Sequence, residues 1–226
     1  MLQNTQPPEK AAFTNGEMLQ VFDIWDTIQG EGPFAGCQAT FIRLAGCNLQ
    51  CPLCDTDYTS ARNLKSWRDI VFDLHKRAPE LVVLTGGEPF RQTLGPLCEG
   101  LLEIEKKVQI ETNGTLYNDV DRRVCVVCSP KTGKLNSNVM ERIDAWKYVL
   151  RHAAVNPDDG LPTSALGMLS SPQRPPESTP KDLIYLQPCD DQDETLNKLN
   201  LTVTLDSCRR YGYRLCLQTH KIVGLP

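Results

Sequence analysis

The sequence predicts an α/β fold built as a partial (βα) barrel, a mostly parallel sheet with covering helices, and three observations carry that expectation. Short β-branched runs alternate with helix-compatible stretches along most of the 226 residues, the pattern of parallel strands joined by helical crossovers. One run, LVVLT at 81–85, is apolar throughout, as in a strand covered on both faces. Polar, glycine-containing motifs follow strand after strand, and parallel α/β barrels build their sites at the C-terminal strand ends.

Residues 1–17 are polar, carry Pro7 and Pro8 and lack periodicity, which predicts a flexible N-terminal tail. Residues 18–226 then read as a single domain. LQVFDIW (19–25) and ATFIRL (39–44) are the first strands, separated by the glycine-studded turn QGEGPFAG (29–36). Ser66 with Asp69 forms a capping pair for a helix over about 66–77, with Ile70, Val71 and Leu74 on one face. After the strand at 81–85, Leu94, Leu97, Cys98, Leu101 and Leu102 fall on one helical stripe. The alternation continues through a strand at 108–111, a short helix near 116–122, a strand at 124–127, a weak helix near 137–143 and a strand at 146–150. Residues 152–180 hold six prolines and four serines; so long a connection predicts a Pro/Ser-rich insertion, disordered in preference to a lid. A strand at 183–187, a helix near 193–211 and a strand at 213–218 complete the chain.

A net charge of −4 with interspersed signs gives no basic stripe, so no direct nucleic-acid contact is expected. No run of eighteen apolar residues and no basic-then-apolar leader occurs, which predicts a soluble cytoplasmic protein with no membrane partner. The ten cysteines are then read as ligands and buried thiols rather than disulfides. Cys37, Cys98, Cys208 and Cys216 have the pattern of buried thiols.

Three cysteines stand apart from these. Cys47, Cys51 and Cys54 lie in CNLQCPLCDTD (47–57) with C-x3-C-x2-C spacing, one ligand short of a structural zinc site. Cys125 and Cys128 could supply a further pair, but they sit in an apolar strand where positions three apart face opposite ways, and they read better as core. An iron-sulfur cube held by three thiolates leaves one iron open. The motifs TGGEP (85–89), ETNG (111–114), SPK (129–131), QP (187–188) and QTHK (218–221) are expected on one rim, with Glu88, Lys131, Gln187 and His220 facing a common cavity.

The cysteine loop together with Gly86-Gly87-Glu88-Pro89 resembles the radical S-adenosylmethionine (SAM) superfamily, which implies a partial barrel of the radical SAM type. Within it, TIQGEGPFAG (27–36), FIRLAGCNLQCPLCDTDY (41–58), LTGGEP (84–89), IETNGT (110–115), SPK, LQP and LQTHKIVGLP (217–226) are similar to the 7-carboxy-7-deazaguanine synthase family. The likeness spans 19–150 and 183–226. It implies a lyase that contracts the ring of 6-carboxy-5,6,7,8-tetrahydropterin to 7-carboxy-7-deazaguanine with loss of ammonia, towards queuosine-type tRNA bases. It also implies a [4Fe-4S] cluster, SAM and Mg2+ as cofactors, a flavodoxin- or ferredoxin-type electron donor, and a homodimer.

Residue by residue, the same resemblance gives Cys47, Cys51 and Cys54 to the cluster and Thr56 to Mg2+. Leu53, Asp55, Gly87, Glu88, Ser129, Pro130, Lys131, Gln187, Pro188, Cys189 and Asp190 fall to SAM, with Lys147 a weaker addition; Glu88 is expected to meet the SAM ammonium through its carboxylate. The pterin falls to Ile28, Gln29, Gly30, Glu31, Arg43, Thr85, Asn113, His220 and Pro226, Arg43 suiting a carboxylate through its bidentate fork. No side chain is expected to do covalent chemistry, since SAM supplies the radical. Two alternatives remain open at this point: an activating enzyme that makes a glycyl radical on a partner chain, and a zinc-stabilised interaction module.

Overall fold

The computed structural model describes residues 4–225. Among the described residues nine strands form one open sheet in the order β3-β1-β2-β4-β5-β6-β7-β8-β9. They are β1 (Met18–Ile28), β2 (Gln38–Leu44), β3 (Asn63–Ser66), β4 (Leu81–Gly86), β5 (Lys107–Thr112), β6 (Cys125–Cys128), β7 (Ala145–Leu150), β8 (Ile184–Pro188) and β9 (Arg214–Leu215). From β2 to β9 every pairing is parallel, while β1 runs antiparallel to both β2 and β3. The sheet is therefore a barrel that does not close, as expected.

Side chains alternate across a strand, and here the alternation separates two environments. Ile42, Leu44, Val82, Leu84, Val108, Ile110, Val126, Cys128, Trp146, Tyr148, Leu150, Ile184 and Leu186 face the helices and form the main core. Against them pack α1 (Trp67–His75) through Ile70 and Leu74, and α2 (Gly95–Glu103) through Leu97, Cys98 and Leu101. Ser66 caps α1 by accepting from the Asp69 backbone at 3.0 Å, as the sequence predicts. The alternate residues face inwards: Ala39, Leu81, Val83, Val127, Ala145 and Tyr185 make an apolar floor. Thr85, Lys147 and Gln187 stand two positions further along their strands than Val83, Ala145 and Tyr185, and with Arg43 on β2 and Glu111 on β5 they make a polar layer at the C-terminal ends.

Several elements differ from expectation. Residues 116–122 are not helical: the Asn118 side chain donates to the carbonyls of Phe90 and Gln92 and accepts from the Leu94 N–H, a tertiary anchor that competes with helix formation. The helix near 137–143 shortens to α3 (Ser137–Met140), and the strand at 213–218 to the two residues of β9. β3 has no apolar alternation and is found only by its pairing with β1. The helix near 193–211 forms as α4 (Glu194–Tyr211), but its inward face is polar: buried Asn200 donates to Cys189 O and Asp191. A last helix, α5 (Thr219–Ile222), follows β9.

The two segments read as flexible are tied down over their described residues, 4–17 and 152–180. Glu9 N donates to Cys47 O at 2.6 Å and Ala12 N to Arg91 O at 2.7 Å. In the insertion, Arg174 pairs with Asp159 at 2.8 Å and Tyr148 Oη donates to Gln173 O at 2.6 Å, while Leu161 and Ala165 are buried. Hydrogen bonds to distant residues order these stretches, and composition does not register them.

Candidate functional site

The inward polar layer lines a cavity of about 900 Å³, of the size that holds a cofactor and a small substrate together. Parallel register sets Arg43 level with Thr85. At the wall, Gln29 Nε2 and Gln109 Nε2 both donate to Glu111 Oε1 at 3.0 Å, and Thr85 Oγ1 donates to Glu111 Oε2 at 3.3 Å. The Arg43 guanidinium lies 4.9 Å from the Trp25 ring centre, and its buried Nε has no hydrogen-bond partner among the described residues. A guanidinium so placed offers a donor to a ligand anion.

Glu31 and Lys147 form a buried ion pair across the cavity, and Gln218 Nε2 donates to the same carboxylate at 2.9 Å. Burial works against both charges, and their mutual attraction outweighs it. Lys147 holds Glu31 below the usual carboxylate range, while Glu31 and Glu111 hold Lys147 above the usual lysine range.

The cysteine loop forms the opposite wall. Gly87 N donates to Leu44 O at 3.3 Å and Glu88 N to Gly46 O at 3.0 Å, so the turn after β4 is bonded to the start of the loop. A Cβ on Gly87 would sit 2.2 Å from Gly46 O, which explains the glycine there. Asn113 Nδ2 donates to Asn48 Oδ1 at 3.0 Å, tying the end of β5 to the same loop. Lys131 is pulled below the ordinary lysine range by burial, and its Nζ donates to Ser129 O and Oγ.

Cys47, Cys51, Leu53, Cys54, Asp55, Thr56, Gly87, Ser129, Lys131, Gln187, Cys189 and Asp190 all line the cavity, as do Ile28, Gln29, Glu31, Arg43, Thr85, Asn113 and His220. Gly30, Pro130 and Pro188 lie behind the surface. Gly30 O accepts from Thr219 N and Oγ1, each at 3.2 Å, so the turn after β1 carries α5 and His220. Pro226 lies outside the described residues.

Glu88 departs from its expected role. It is fully buried and does not line the cavity; its carboxylate accepts from Thr112 Oγ1, Asn113 N and Phe90 N at 2.7 to 3.0 Å. Burial pushes it up to about 7 against the pull of those bonds. Cys37 is exposed rather than buried, because it ends the turn before β2. Glu111, Trp25 and Phe41 line the site without having been singled out. The signal for Glu111 was the two-residue period that also puts Arg43 and Thr85 inside.

The thiols fit a cluster better than a single ion. Burial pushes Cys47 up to about 12, so a thiolate there calls for a bound cation. Among the described residues no three His, Cys, Asp or Glu side chains are arranged to hold one metal ion; Cys47, Cys51 and Cys54 all line the cavity, and three thiolates would hold three irons of a cube and leave the fourth open. Cys125 and Cys128 pack on opposite faces of β6, in different apolar clusters, and supply no zinc pair.

Comparison with known proteins agrees with this geometry. No family model matches the chain. The 7-carboxy-7-deazaguanine synthase of Rhodospirillum rubrum is 42% identical over 224 residues, 93% of this chain and 94% of that protein. The 7-carboxy-7-deazaguanine synthase of Rickettsia prowazekii is 37% identical over 235 residues, covering 97% and 94%. The crystal structure of QueE from Escherichia coli superposes with a TM-score of 0.67 at 24% identity, over 88% of this chain and 93% of that one, and so shares its fold. At such identity over nearly its whole length, the chain belongs to the 7-carboxy-7-deazaguanine synthase family.

Proposed function

We propose that this chain is the lyase that contracts the ring of 6-carboxy-5,6,7,8-tetrahydropterin to 7-carboxy-7-deazaguanine with loss of ammonia, in the 7-deazapurine pathway. One observation carries the reading: a single cavity joins the three-cysteine loop to a wall bearing Arg43, Glu111 and the Glu31–Lys147 pair. A [4Fe-4S] cluster and SAM, when bound, would supply the radical chemistry for hydrogen abstraction.

The chain's own residues hold and orient. Cys47, Cys51 and Cys54 hold the cluster, and Leu53, Asp55, Gly87, Ser129, Lys131, Gln187, Cys189 and Asp190 surround SAM, with Pro130 and Pro188 shaping the strand-end turns. Glu88 acts from behind by fixing Thr112 and Asn113. On the substrate side, the open Arg43 donor suits the pterin carboxylate. Glu31, kept ionised by Lys147, accepts ring N–H groups beside Ile28, Gln29 and Gly30, and Thr85, Asn113 and His220 add polar contacts. Thr56, half-buried on the cavity wall, is the protein ligand for Mg2+, which binds few side chains and keeps waters.

An external flavodoxin- or ferredoxin-type donor, a cytoplasmic setting and a homodimer complete the proposal. Exposed Leu64 and Phe72 near the β3 edge support pairing of copies, which sedimentation would measure. The central test is anaerobic: cluster-loaded protein with SAM, Mg2+, a strong reductant and the carboxypterin should form 7-carboxy-7-deazaguanine, identified by mass. Full cluster occupancy without that product would overturn the reading.

A further inference from the structure

The loop from Cys47 to Tyr58 contains no helix or strand, so other contacts must fix it. Many of them come from a short segment ahead of β1. Asn4 N donates to Pro52 O at 2.9 Å, and Asn4 Nδ2 donates to Cys51 O at 3.1 Å. Gln6 Nε2 donates to Thr56 O at 2.9 Å, and Gln6 Oε1 accepts from Tyr58 N at 2.8 Å and Thr59 Oγ1 at 3.0 Å. Glu9 N donates to Cys47 O at 2.6 Å, and its carboxylate pairs with Arg62 and Arg91. Asn4 Oδ1 accepts from both Gln6 N and Gln6 Nε2, so the two side chains hold each other in place.

We infer that residues 4–9 are a strap that sets the cysteine loop, with Asn4 positioning its cluster-binding end and Gln6 positioning its Thr56 end. The strap reaches the carbonyls of Cys47, Cys51, Pro52 and Thr56, and partners behind the ligands govern how well a metal site is held. None of residues 4–9 lines the cavity, so the strap acts on the site through the loop. The inference rests on the proposed function, since it takes the loop to carry a cluster and Thr56 to carry Mg2+.

The test uses full-length Asn4→Ala, Gln6→Ala and Gln6→Glu proteins. Gln6→Glu keeps the acceptor for Tyr58 N and loses the donor to Thr56 O. In Asn4→Ala, visible absorbance of the reconstituted cluster should bleach in air about fivefold faster than in the parent, the scale of one lost hydrogen bond. In both Gln6 variants the Mg2+ concentration for half-maximal turnover should rise by about fivefold on the same scale, with melting of the Gln6→Glu apoprotein matching the parent. Parent-like bleaching together with parent-like Mg2+ response would overturn the strap. A parent protein that takes up no iron and sulfide would overturn the functional reading beneath it, and the strap with it.

Discussion

Lys147 shows how a single side chain can be both wall and counter-ion. Removing one partner of a buried pair leaves the other charge uncompensated, at about 3–5 kcal/mol, so Lys147→Met should lower the melting temperature markedly at neutral pH. In the parent, Glu31 lies below its ordinary 4.5 and Lys147 above its ordinary 10.5. The stabilisation is therefore present between those values. It is lost as pH falls through the lowered Glu31 value or rises through the raised Lys147 value. In Lys147→Met the main opposition to burial is gone, with the Gln218 hydrogen bond left, and the Glu31 pKa rises, so the deficit should shrink as pH falls and Glu31 protonates; melting curves from neutral to acid pH check this. Gly30 offers a second residue-scale outcome, since a Cβ there would sit 1.9 Å from His220 Nδ1. Gly30→Ala should displace α5, raising KM for the carboxypterin about tenfold, the equivalent of roughly 1.4 kcal/mol, while cluster absorbance stays at the parent level.

Elements meet at the turn after β4, where Gly86 has φ of 135° and a Cβ on Gly87 would collide with Gly46 O. Gly87→Ala should push this turn off the cysteine loop at a cost of about 1–3 kcal/mol, and the purified variant should retain less than half the iron of the parent by metal analysis. The cysteine spacing and the glycine motif were legible in the sequence because their chemistry needs those residue types in that order. Glu111 was not singled out, since a carboxylate near a strand end is ordinary, and only its place in β5 beside Thr85 shows that it lines the cavity. Glu88 was legible as important but not in its role, because nothing local tells a cavity carboxylate from one consumed by Thr112 and Asn113 behind the wall. The long-range bonds of Asn118, Gln6 and Arg174 likewise leave no mark on local periodicity, which is why a helix was expected at 116–122 and mobility at both polar segments.

At the scale of the whole molecule, the main apolar core lies between the helices and the outer face of the sheet, and Cys47, Cys51 and Cys54 are not among its members. Chelating iron anaerobically should therefore abolish turnover and the visible absorbance while leaving far-ultraviolet dichroism within about a tenth of the loaded value, unlike small domains whose metal is their core. Both ends of the described chain converge on the opposite, open side: Asn4 reaches Pro52 and Cys51, and Leu225 lines the cavity. Leu225, the last described residue, lines the cavity, so bulk attached to that residue competes with cofactor and substrate for room. An affinity tag is better carried in the connection between α1 and β4, where Lys76, Ala78 and Glu80 are exposed and the chain enters the sheet at its far, N-terminal edge.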